Sequence, residues 1–143
     1  MIKTTLTTLA LCFCSIFCLQ AADSSDLARM QGNWEVKTTS SDGDKITQRL
    51  EVNKDKLIFK VLDASSAVRL YATAKLKTEK IGTFSVLKVS EIQAGDSEAD
   101  MSPVDDDRTP IYQLRDGKLI LASNLEKERD DMPRLDVYEK VSK

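Results

Sequence analysis

From Val68 to Lys77 apolar and polar side chains alternate without a break. Val68, Leu70, Ala72, Ala74 and Leu76 stand opposite Arg69, Tyr71, Thr73, Lys75 and Lys77. Successive side chains of a strand point to opposite faces, so this run puts one face in a core and the other in water, as antiparallel sheets do. The same period recurs along the chain. Trp34, Val36 and Thr38 alternate with Glu35 and Lys37; Ile46, Leu50 and Val52 with Thr47, Arg49 and Glu51; Leu57, Phe59 and Val61 with Lys56, Ile58 and Lys60. Weaker segments continue it at 83–92, 111–115, 119–123 and 135–141. Between them lie tight-turn residues: Ser41-Asp42-Gly43-Asp44, Asn53-Lys54-Asp55-Lys56 and Asp116-Gly117-Lys118. The sum is about eight short strands in series with no helix between them, which predicts a sandwich or a barrel. A meander of even strand number can close and remove its edges, which favours an all-β, antiparallel up-and-down β-barrel.

Two segments stand outside this rhythm. Ser24-Ser25-Asp26 precede Leu27 and Met30, with Gly32 after them, which predicts a short N-terminal helical turn of one or two turns. The stretch 94–107 is acidic and aperiodic and reads as a long, mobile surface loop. Its alternating Asp96, Glu98 and Asp100 offer oxygen ligands, but the spacing completes no EF-hand loop, so a solvated loop and no metal site is expected. A further charged patch, 126–131, separates the last two strands.

Residues 1–22, MIKTTLTTLALCFCSIFCLQAA, have the layout of a secretory signal peptide: Lys3, an apolar run from about Leu9 to Leu19, then Ala21 and Ala22. The run is too short for an ordinary membrane span. Export to the periplasm or beyond is therefore expected, with residues 23–143 as one mature domain and no membrane span once the leader is cut. An uncleaved anchor or a lipid-modified cysteine is the alternative; Leu11 is the wrong residue before Cys12 for the latter. Cys12, Cys14 and Cys18 all fall in the leader, so the mature chain has no disulfide to draw on.

Function is bounded mainly by what is missing. The chain has no histidine, and the mature part no cysteine, so the usual general base, thiol nucleophile and soft metal ligands are absent. Removing Lys3 from the 21 basic residues leaves 20 against 23 acidic ones, a mildly acidic balance unsuited to nucleic acid. A non-enzymatic protein without cofactors is expected.

Gly32-Asn33-Trp34, following a short helical turn, resembles the Gly-X-Trp signature that opens the first strand of lipocalins. The closer resemblance is to the lipocalin-like domain frequent in exported planctomycete proteins, through Asp26-Leu27, Gln31-Gly32-Asn33-Trp34-Glu35-Val36 and Asp42-Gly43, then Ile111-Tyr112-Gln113-Leu114, Asp116-Gly117-Lys118-Leu119 and Val137-Tyr138-Glu139-Lys140. It covers essentially the whole mature chain. It departs from the longer lipocalins in lacking their cysteines and C-terminal helix. The resemblance implies that Trp34 closes one end of the barrel, that Gly32 lets the chain pass from helix into strand, and that a cation packs on the indole, with Arg134 and Lys140 both available. Leu50, Val52, Phe59, Leu70, Ala72 and Ala74 then point inward, where an eight-stranded barrel can just hold one small ligand. The expected partner is a small apolar or amphipathic molecule. The alternative is a filled core, with the protein acting through its surface, for instance the outward strip Arg69, Tyr71, Thr73 and Lys75.

Overall fold

The computed structural model describes residues 22–128 and 130–142. One helix, α1 (Ala22–Met30), is followed by nine strands: β1 (Gly32–Thr39), β2 (Lys45–Asn53), β3 (Lys56–Leu62), β4 (Val68–Ile81), β5 (Phe84–Gly95), β6 (Met101–Pro103), β7 (Ile111–Arg115), β8 (Lys118–Ser123) and β9 (Arg134–Val141). Eight of them, all but β6, form a closed antiparallel barrel in which each strand pairs with the next in the chain and β9 returns to β1. Apart from Ala22, the expected leader with its three cysteines lies outside the described residues.

Local chemistry accounts for the ordering. At Asp116-Gly117 both central residues have positive φ, 51° and 74°, which matches the right-handed twist of flanking strands and closes a two-residue hairpin. The β2–β3 turn is braced from outside: the Gln31 side chain donates to the Lys54 carbonyl at 3.0 Å and accepts from the Lys54 amide at 2.6 Å. Helix and hairpin are thereby tied together at one end, the base of the barrel. The turns after β1, β3, β5 and β8 lie at the other end, the mouth.

Most inward positions are apolar, while outward positions of β3, β4 and β5 carry Lys56, Lys60, Lys75, Lys77 and Lys88. That polarity is the reverse of a membrane-spanning barrel. No described helix is long and apolar enough to cross a membrane. The packed core sits at the base, where Met30, Trp34, Val52, Leu76, Tyr112 and Leu119 meet.

Three expectations are corrected. First, α1 has nine residues, about two and a half turns rather than one or two. Second, 94–107 is not one long loop. Ala94 and Gly95 end β5, and Met101–Pro103 pair back onto Gln93–Gly95 as β6. The cause is a bulge: between Thr73 and Lys75 of β4, β5 spends three steps against two, with Glu91 at φ 51°. The extra residue resets the alternation, turning Ile92 and Ala94 towards the interior. The chain then follows β5 down again through Val104, Arg108 and Pro110 to β7. Third, Tyr71, on the outward parity of β4, is only 6% exposed. The Lys60 ammonium lies 5.2 Å from its ring centre, and burial and the neighbouring Glu98 carboxylate raise its hydroxyl pKa.

Candidate functional site

The base is built around Trp34, which is 2% exposed. Its indole N–H donates to the carbonyl of Met30, the last residue of α1, at 2.7 Å. Helices end with unpaired carbonyls, and the indole satisfies one here. A second tie joins α1 to the opposite wall, where the Tyr112 hydroxyl donates to Asp26 at 2.8 Å. Of the two available cations, Lys140 is the one on the tryptophan: its ammonium is 5.2 Å from the ring centre, and the two residues are cross-strand partners. Arg134 starts β9 at the mouth, opposite Ser123, and has no part in closing the base. Gly32 takes φ 110°, a conformation side chains resist, and a Cβ there would approach the Lys140 side chain at 3.2 Å.

Above this plug the barrel is not filled. An interior cavity of about 660 Å³ runs from Met30 and Leu119 up to the mouth, where Ser40, Ser41, Asn124, Glu126 and Asp131 border it. Leu50, Val52, Phe59, Leu70, Ala72 and Ala74 all line it. The small Ala72 and Ala74 sit on the wall of β4 where bulkier residues would close the space. A cavity of this size is in the range that holds a small organic molecule. A second recess of about 510 Å³ lies on the outer surface over β1, β2 and β3, lined by Glu35, Arg49, Glu51 and Lys60 among others. Its Arg49 and Glu35 pair with each other at 2.8 Å, and its lining is more polar than that of the interior.

One wall of the cavity is polar, and sequence reasoning left it out. Gln48, in the inward register of β2 between Ile46 and Leu50, is 5% exposed. It accepts a hydrogen bond from the Tyr138 hydroxyl at 2.7 Å. Burial, then the nearby Asp136 charge, pushes the Tyr138 hydroxyl far above its ordinary pKa, so it stays protonated and donating. Asp136, one inward step towards the mouth, is 8% exposed and accepts from the Arg134 guanidinium at 2.7 Å. That bond holds Arg134 still more firmly in its charged form. The signal for this wall was parity alone: Gln48, Arg134, Asp136 and Tyr138 all fall on inward positions of their strands.

Among the described residues no three carboxylates converge as a metal cage would require. The outward strip is engaged locally: Arg69 pairs with Asp63 at 2.7 Å and Lys75 with Glu91 at 2.8 Å. No protein-family model, curated protein or solved structure matches this chain.

Proposed function

We propose that this protein is an exported, lipocalin-like, non-enzymatic binder of a small apolar or amphipathic molecule, held inside the barrel. The observation that carries this reading is the cavity of about 660 Å³, apolar over most of its wall, plugged at the base by Trp34 and open at the mouth. Burial of an apolar ligand there would contribute about 25 cal/mol per Å² removed from water. The Gly32-Asn33-Trp34 motif after a helix supports the lipocalin-like assignment, and residues 1–22 support export.

The test is titration of the protein from residue 23 onward with an environment-sensitive apolar dye, followed by competition with a panel of small lipophiles. Saturable binding displaced by one chemical class is the expected result. A folded protein that takes up no dye saturably would end this reading. A second reading, contact with a partner through the outer surface, draws on Met132, Leu135 and Val137, of which Leu135 is 67% exposed. Replacing Leu135 and Val137 with lysine tests it: retention of the native barrel with loss of a measurable self- or partner association would favour it.

A further inference from the structure

We infer that the ligand carries a neutral hydroxyl group, and that Gln48 and Asp136 together recognise it. The inference rests on the carrier reading above and narrows it from any lipophile to an alcohol.

Gln48 carries an incomplete hydrogen-bond set. The Gln48 side chain is 5% exposed, and its carboxamide makes one hydrogen bond to the protein, from Tyr138. No buried side-chain nitrogen or oxygen is sealed away without a partner among the described residues. Because Gln48 lines the cavity, its unengaged end faces the open interior. Whichever end of the amide Tyr138 meets, the other is left over. With the oxygen on Tyr138, the leftover group is an N–H₂ donor in need of an acceptor. Leaving such a group unmet in an apolar pocket is costly, and a ligand that meets it gains accordingly.

Asp136 is the complement. It lies two residues from Tyr138 on the same face of β9, about 6.6 Å along the strand, and only its Oδ1 is engaged by Arg134. Its second oxygen accepts but cannot donate. The wall thus offers one donor, from β2, and one acceptor, an inward step towards the mouth on β9. An alkyl ammonium has no acceptor for Gln48. An alkyl carboxylate has no donor for Asp136 and would set a second negative charge beside it, with Arg134 already committed. The charged residues lining the cavity add to the bias against a carboxylate alone, with Glu126, Asp131 and Asp136 against Arg108 and Arg134. A hydroxyl both donates and accepts, is uncharged, and fits both partners.

The test compares decan-1-ol, decanoate, decylamine and decane as competitors of a bound apolar dye at pH 8, using the native chain, Gln48→Met and Tyr138→Phe. Decan-1-ol should compete better than the other three, and better than decanoate by about three- to tenfold, the range of one hydrogen bond. Gln48→Met should remove that advantage over decane. Tyr138→Phe, which frees the rest of the Gln48 amide, should preserve it. Should Gln48→Met fail to fold, the ranking on the native chain and the Tyr138→Phe result still decide. Decanoate or decylamine competing as well as decan-1-ol overturns the inference while leaving the carrier reading intact, as does an alcohol preference that survives Gln48→Met. Absence of any saturable dye binding overturns both.

Discussion

Lys140 holds its ammonium 5.2 Å from the centre of the Trp34 ring, and the two residues are direct partners in the strand pair that closes the barrel. That pair is short, covering only Asn33–Glu35 against Glu139–Val141. A side-chain contact at its centre therefore weighs more than it would in a long ladder. Lys140→Met keeps the aliphatic stem and removes the charge. It should cost about 0.5–1 kcal/mol, the range of an exposed cation–π contact, seen as a fall in Tm of about 2–4 °C. Fluorescence of Trp34, the only tryptophan, should shift with it. Arg134→Met should leave that fluorescence unchanged, because Arg134 sits at the far end of β9.

Gly95 is where the chain leaves β5 and folds back into β6. A Cβ at this position would lie 1.7 Å from the backbone carbonyl oxygen of Asp100. Backbone cannot swing aside as a flexible side chain can, so Gly95→Ala should destabilise the protein by about 1–3 kcal/mol. The Val104 amide donates to the Ile92 carbonyl at 2.8 Å. Hydrogen exchange should find that amide protected in the native chain and faster in Gly95→Ala. Exchange at the free-chain rate in the native protein would contradict the ordered path of 101–104.

The β3–β4 connection is organised by Asp63, whose carboxylate takes hydrogen bonds from the Ser65 hydroxyl, the Ala67 and Ser65 amides and Arg69. These bonds, the one from Ser65 foremost, lower its pKa to about 2 from the ordinary 3.8. Because the folded value is the lower one, the stabilisation is present above the unfolded pKa and is lost as pH falls from about 4 through about 2. Carboxyl-carbon NMR should show Asp63 titrating near 2. A midpoint near the ordinary value would mean the turn does not form as described.

How much of this was legible follows from what each signal depends on. Alternation reports which face a residue occupies, so the inward placing of Leu50, Phe59, Leu70 and Ala74 could be read from the chain alone. It does not report register. The choice between Lys140 and Arg134 turns on which β9 residue meets Trp34, and that is fixed by where the closing pair begins. Tyr71 obeys its outward parity, yet it is buried, with Lys60 over its ring and Glu98, 27 positions away, acting on its hydroxyl. β6 gave no signal, since Met101-Ser102-Pro103 owes its place to backbone bonds with β5 and to a bulge at Glu91. The polar wall was hidden for a different reason: a glutamine, an aspartate and an arginine at inward positions look like breaks in a pattern until their partners are seen across the barrel.

The central claim is that the space above Trp34 receives the ligand, and Leu70→Trp tests it most directly. Leu70 lines the cavity and is only partly buried, so an indole can extend into the open volume and occupy it without breaking the packed base. The account predicts that the native chain binds an apolar dye saturably with one site. Leu70→Trp should weaken that binding by about tenfold or more, some 1.4 kcal/mol, with its Tm essentially unchanged. Binding as tight in a folded Leu70→Trp variant as in the native chain would place the ligand elsewhere and contradict the account.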